Sequence, residues 1–271
     1  MNFTKYLNFL RAFIFKASSS KDSPPQPIRW THELVEKFWG GFSQTRLVEY
    51  SFSRQAGRSL IIAIDHLLPK NGHILDYGAG DGDLMRLLCE RGTAVSGFEP
   101  SDNRAQKLIS KLKDYSGFKG IVGNTENTTF DLVLMAEVIE HVLDEDLDEC
   151  LNRLEALVKP GGLIIVTTPN NEDLDLGMAY CPVSNVLFHR WQHVRSFTKE
   201  SLVDLLSKYG FDEVVTHQIE FNDSLYVPFD QQWGKASDNS ELPSYLQQMR
   251  TNQPTRIGGE TNLLYIGKRR T

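Results

Sequence analysis

Apolar and polar positions along this chain follow two rhythms. From His73 onward, apolar runs of strand length occur at His73 to Tyr77, Ala94 to Glu99, Gly120 to Gly123, Phe130 to Ala136 and Leu163 to Thr168. Between them lie segments whose apolar residues recur at helical spacing, at about 83–91, 102–113, 146–158 and 198–209. Gly92 and the Pro160-Gly161-Gly162 run punctuate the ends of two of these helices, and Thr198 is placed to cap a third. Repeated strand-helix units predict a parallel sheet covered by helices on both faces. The last two strands, Val214 to Phe221 and Asn262 to Arg269, have no convincing helix between them and should pair antiparallel. That leaves Asn222 to Thr261, rich in Asn, Gln, Ser and Pro, as an insertion placed to touch substrate.

Ahead of the first strand the pattern is helical from Trp30 to Leu68, read as a cap. Residues 1–21 carry Lys5, Arg11, Lys16 and Lys21 among Phe3, Tyr6, Leu7, Phe9, Leu10, Phe13, Ile14 and Phe15, with no acid before Asp22. Such a segment suits an amphipathic helix on an anionic membrane surface or a protein partner, or equally a first helix packed on the domain. Ser18 to Pro27 reads as a linker. The chain therefore divides into an N-terminal segment and linker at 1–29, a cap at 30–68, and a domain at 69–271 that contains the 222–261 insertion.

Composition changes this picture little. A 271-residue chain that is 40% hydrophobic can bury one good-sized core. Its net charge of -6 argues against a partner held mainly through phosphates. Three cysteines, Cys89, Cys150 and Cys181, lie far apart with no C-x-x-C pair, which fits a reducing compartment. No run is long and apolar enough to span a bilayer. The expected location is cytoplasmic, with peripheral membrane attachment through residues 1–21 as an option.

The candidate chemistry begins at Ile74 to Leu84, I-L-D-Y-G-A-G-D-G-D-L, where a strand runs through three alternate glycines into a helix. This is how α/β proteins build nucleotide sites. The dinucleotide pattern G-x-G-x-x-G fails, because its third glycine would fall on Asp83. With Asp81 beside it, the turn carries carboxylates where a pyrophosphate needs none, and so suits a cationic cofactor without phosphate, such as S-adenosylmethionine. D-x-G-x-G-x-G, followed by Glu99 at the end of the next strand, resembles the first motifs of class I S-adenosylmethionine-dependent methyltransferases. The resemblance implies a Rossmann-like α/β fold with a seven-stranded sheet in the order 3-2-1-4-5-7-6. It further implies that Asp76 with Gly78, Gly80 and Gly82 holds the amino-acid end of the cofactor, and that Glu99 pairs with the ribose hydroxyls. Asn124, with Thr125, stands where many members carry an Asp that bonds the adenine amino group. Asp81, Leu84 and Ala136 are candidate walls of the same site.

A second constellation, E-V-I-E-H, closes the fourth strand. If a helix starts there, Glu137, Glu140 and His141 share one face. The motif resembles those of ubiquinone-biosynthesis O-methyltransferases and of small-RNA 2′-O-methyltransferases, which use a divalent metal. In the RNA group a further histidine completes the metal site, and His193 in Q-H-V-R-S-F-T-K-E stands in that position. Glu137, Glu140, His141 and His193 are thus candidate catalytic residues and candidate ligands for Mg²⁺, Mn²⁺ or a similar ion. A metal there would lower the pKa of an acceptor hydroxyl. Alternatively, the two glutamates favour a helix N-terminus and His141 is a lone general base or a structural residue. His189, four residues before His193, is a competing ligand. Asn170, Asn171, Tyr180, Arg190, Trp191 and Arg195 lie on one loop and suit a hydroxyl-rich acceptor. The expected activity is O-methylation of a small molecule or glycan. The alternatives are a quinone precursor, RNA with a metal, and a non-catalytic cofactor-binding module.

Overall fold

The computed structural model describes residues 24–123, 128–237 and 240–271. The basic, aromatic-rich segment 1–21 and the candidate residues Asn124 and Thr125 lie outside them. Seven strands form the central sheet: β1 (His73–Tyr77), β2 (Ala94–Phe98), β3 (Phe118–Ile121), β4 (Phe130–Ala136), β5 (Val158–Pro169), β6 (Phe211–Ile219) and β7 (Asn262–Arg269). Their order is 3-2-1-4-5-7-6. β1 to β5 pair in parallel, and β7 runs antiparallel to both β5 and β6. This is the expected fold, including the antiparallel end.

Side chains on alternate strand positions feed two cores, as the pleat requires. Ile74, Leu132, Leu134, Ile165 and Leu264 belong to one. Leu75, Val133, Met135, Ile164, Val166 and Leu263 belong to the other. The first core is covered by α2 (Gly57–Ile64), α3 (Asp83–Glu90) and α4 (Asp102–Leu112), the second by α5 (Leu147–Leu157) and α6 (Lys199–Lys208). Thr198 caps α6 in a reciprocal box with Ser201.

Two expectations are corrected. The segment 30–68 is not one cap: α1 (His32–Ser43) overlies the carboxyl edge of the sheet, whereas α2 is core, with Ile61, Ile62 and Ile64 buried in the first cluster. The insertion 222–261 packs behind α2 and α3 rather than over the site. Leu246 and Met249 of α7 (Ser244–Arg250) join the first core, Asp223 accepts a bond from Ser59, and Asp230 pairs with Arg91. Among its described residues only Thr261 lines the main cavity. A polar composition announced exposure there, but its scattered apolar residues were enough to anchor it on the far side.

Candidate active site

A cavity of about 930 Å³ opens at the carboxyl ends of β1, β2, β4 and β5, beneath α1. This is where parallel sheets place their ligands. Its floor is the glycine turn. Gly78, Gly80 and Gly82 all have positive φ, at 86°, 56° and 76°. The amides of Gly78 and Ala79 donate to the carbonyl of Phe98, which ties the turn to the end of β2. A Cβ on Gly78 would lie 2.6 Å from Cγ2 of Val138, so the turn and the E-V-I-E-H segment are in contact.

Glu99 is buried at the end of β2. Its Oε2 accepts from the amide of Gly80 at 2.8 Å and its Oε1 from Ser101 at 3.0 Å. Each oxygen keeps a second acceptor direction. Asp76 lies beneath the lining, its Oδ2 buried without a partner, and burial, reinforced by the charge of Glu99, pushes its carboxyl up to about 7. Ala136 and Asp81 line the cavity, whereas Leu84 is turned into the core.

The charge argument for the turn requires correction. Asp83 is held by Lys111 at 2.6 Å and Arg54 at 3.0 Å, and Asp81 by Arg104 at 3.4 Å. The turn's two carboxylates are therefore largely compensated, and the acid left without a partner beneath it is Asp76. Arg104, from the first turn of α4, reaches across the floor toward Glu99 (3.7 Å) and lies over the Trp39 ring.

E-V-I-E-H does not begin a helix. Residues 137–143 form a tight turn, and α5 starts only at Leu147. Glu137 has a φ of 51°, with its amide donating to the carbonyl and hydroxyl of Thr167. Its carboxylate accepts from Asn262 at 3.3 Å. Glu140 is fully buried and accepts from Thr168 at 3.0 Å, with Oε1 unpartnered. Burial raises the pKa of both carboxyls, and Glu137 adds to the effect on Glu140. The His141 ring stands edge-on to Trp39 and 4.9 Å from the ring of His193. Burial, aided by His193, drives its pKa well below the usual histidine value.

Two groups of donor atoms converge within 4.8 Å: Glu140, His141 and His193, and Glu172, His189 and His193. Glu137 belongs to neither, so the four-residue set expected from the sequence is not brought together. Glu172 was not anticipated. It lies just past β5, and its Oε2 is 2.5 Å from Nδ1 of His193. The signal was its place, a carboxylate at the end of a parallel strand. Of the acceptor-loop candidates, Trp191 lines the cavity with Trp39 and Phe42, while Asn170 bonds the carbonyl of Glu260 and half-exposed Tyr180 bonds Asn185. Asn171 and Arg190 are absent from the lining. Arg195 is structural: its guanidinium donates to the carbonyls of Ile139 and Val142 and pins the turn that carries Glu140 and His141.

Among the described residues, no helix is long and apolar enough to cross a membrane. A family model described as a methyltransferase domain matches residues 52–217, more than half of the 271-residue chain. The chain is 32% identical over 174 residues to a ubiquinone biosynthesis O-methyltransferase of Bradyrhizobium sp. (strain ORS 278), covering 61% of this chain and 66% of the relative. An enzyme of the same name from Rhizobium etli (strain CIAT 652) is 29% identical over 177 residues, covering 61% and 68%. The chain thus spans about two thirds of the length of the curated relatives it matches. In fold it resembles the 1,6-didemethyltoxoflavin-N1-methyltransferase of Burkholderia thailandensis (TM-score 0.55, 16% identity, 90% and 92% of the two chains). It also resembles a TehB-like methyltransferase of Corynebacterium glutamicum (TM-score 0.51, 13% identity, 89% and 100%).

Proposed function

This chain belongs to the class I S-adenosylmethionine-dependent methyltransferases, and from that premise we propose that it transfers the methyl group to a hydroxyl oxygen of a small molecule. The observation that carries this reading is that one cavity joins the glycine turn and Glu99 to a face formed by Glu137, His141 and His193, with Glu140 buried behind His141 and His193. Methyl transfer is an in-line displacement at the sulfonium carbon, so the protein must align the acceptor oxygen and take up its proton. In this reading Gly78 and Gly80 let the cofactor lie against the backbone, while Gly82, whose missing Cβ would meet Leu108 at 2.8 Å, lets α4 pack behind the turn. Asp81 and Ala136 flank it, and Glu99 accepts both ribose hydroxyls on its spare lone pairs. Asp76, buried beneath the turn, serves the amino-acid end by supporting the turn that meets it, and Asn124 and Thr125 serve the adenine. His193 and His141, imidazoles beside the acceptor, are the proton acceptors. Glu140 and Glu137 set the polarity around them.

Trp39, Phe42 and Trp191 wall the acceptor side. Flat aromatic walls suit a hydroxyl on an aromatic skeleton better than one on a glycan, since apolar faces must cover apolar faces. The curated relatives' name speaks of O-methylation in ubiquinone biosynthesis, which agrees with oxygen as the acceptor atom. RNA is disfavoured by these walls and by the net charge of -6.

A metal-assisted version rests on a specific observation, the convergence of Glu140, His141 and His193. One carboxylate and two imidazoles would suit a borderline cation, and such an ion would acidify the acceptor hydroxyl. Glu137 would stand outside that set. Calorimetry with S-adenosylhomocysteine and a labelled-methyl screen of phenols, sugars and amines test the proposal. Binding of the product cofactor with methyl transfer to oxygen is expected, and transfer to nitrogen alone would overturn it.

A further inference from the structure

Glu172 belongs to no motif, yet its geometry points to a role through His193. We infer that Glu172, whose other oxygen lies 3.5 Å from His189, is the positioning residue that fixes the tautomer of His193 and leaves its Nε2 bare for the site. The inference deepens the reading above and rests on it for the use made of His193.

The argument follows the protons. Nδ1 of His189 accepts from the backbone N–H of His193 at 3.1 Å, so that nitrogen carries no proton. The ring is buried, and a ring whose Nδ1 accepts cannot carry a proton on both nitrogens. Its single proton therefore sits on Nε2, a neutral imidazole having one donor and one acceptor. That nitrogen has no hydrogen-bond partner at normal range, and Oε1 of Glu172 lies 3.5 Å from it. The other oxygen of the same carboxylate is 2.5 Å from Nδ1 of His193. A carboxylate accepts, so Nδ1 of His193 donates, and in the one-proton form of the ring the lone pair is then on Nε2. The two rings are stacked with centroids 4.5 Å apart, so the carboxylate spans both edges.

The backbone is built for this arrangement. Asn171 (φ 51°) precedes Glu172, and Gln192 (φ 62°) precedes His193. Asn adopts left-handed geometry readily, but at Gln192 it persists only where the surroundings enforce it. Gln192 is enforced from both sides: fully buried, it donates to the carbonyl of His141 and accepts from Nε1 of Trp39. Gly177 completes the seat, because a Cβ there would fall 1.8 Å from Nε2 of His189. The same reasoning removes His189 from any metal site. A neutral histidine that binds a metal through Nε2 needs its proton on Nδ1, and here Nδ1 faces an N–H.

The test is a histidine-nitrogen NMR spectrum of the full chain saturated with S-adenosylhomocysteine. The wild type should show His193 protonated at Nδ1 and bare at Nε2. Glu172→Gln, whose amide can donate as well as accept, should shift His193 toward the Nε2–H form, and Glu172→Asp should restore the Nδ1–H form. Where acceptor turnover is followed with catechol, Glu172→Gln should lower kcat by about 10- to 100-fold, the range for groups that orient a working histidine, with little change in KM for the cofactor. A wild-type His193 protonated at Nε2 overturns the inference without any variant. So does an unchanged tautomer in Glu172→Gln. Absence of methyl transfer beside the expected tautomers would instead count against the O-methyltransferase reading.

Discussion

Replacing Gly78 by alanine tests whether the cofactor turn and the Glu140-His141 turn form one mechanical unit. Gly78 has a φ of 86°, and its missing Cβ would meet Cγ2 of Val138 at 2.6 Å and Cγ1 at 3.0 Å. An L-residue in left-handed geometry costs about 1–2 kcal/mol. Pressing a methyl against a β-branched side chain with little rotamer freedom adds roughly 1–3 kcal/mol. The sum, roughly 2–5 kcal/mol, corresponds to a Tm lowered by about 5 to 15 °C in a chain of this size. The strain also has a direction. The carbonyl of Val138 accepts from the amide of His141 at 3.0 Å, so pushing Val138 shifts the histidine. The assay is a double-mutant cycle with Val138→Ala, followed by thermal unfolding and by calorimetry with S-adenosylhomocysteine. The double variant should recover the steric share and keep the conformational one, a coupling of about 1–3 kcal/mol. Additivity to within about 0.5 kcal/mol would refute the contact as the cause.

The remaining predictions concern other parts of the molecule. Glu99→Gln should weaken binding of S-adenosylhomocysteine by roughly 10- to 100-fold in calorimetry, the value of hydrogen bonds to a charged acceptor, and unchanged affinity would remove Glu99 from the site. Trp39→Phe keeps a ring against His141 but strands Oε1 of Gln192, which the Trp39 Nε1 now reaches at 2.9 Å. That should cost about 1–3 kcal/mol in unfolding experiments. His217, on β6, is fully buried with both ring nitrogens unpartnered, and burial lowers its pKa from 6.5 to about 4. Between those values the unfolded chain binds a proton that the folded one does not. Stability should therefore fall as pH drops through that window, by at most about 3 kcal/mol from this group. His217→Leu should flatten the pH dependence of urea midpoints, and an unchanged slope would contradict the assignment. For the metal-assisted version, chelation followed by elemental analysis should abolish turnover and release one ion per chain, whereas full activity without metal would leave His141 and His193 as bases.

The sheet was legible because its information is local. β1, β4 and β7 fall on the residues their apolar runs mark, and the glycines at 78, 80 and 82 stand where the chain must turn. What failed depended on partners far along the chain. Asp81 and Asp83 looked like an acidic lure for a cation, but Arg104, Lys111 and Arg54 come from other helices to neutralise them. E-V-I-E-H has helical spacing, yet Glu137 takes a left-handed turn secured by Thr167 of the neighbouring strand. Glu172 reaches His193 only because two loops meet, and α1 covers the cavity through Trp39 and Gln192, 153 residues apart. The tertiary pairing of charges, not their sequence count, sets the electrostatics of the site.

The central claim is that one cavity brings a cofactor methyl to an acceptor oxygen beside His193. The direct measurement is to incubate the protein with S-adenosylmethionine carrying an isotopically labelled methyl, together with matched phenols, catechols, sugars and amines, and to identify the labelled atom's neighbour by NMR. The account predicts a labelled methyl ether on an aromatic hydroxyl, lost in His193→Ala while S-adenosylhomocysteine still binds. A label found on nitrogen or carbon, or an ether formed undiminished by His193→Ala, would contradict it.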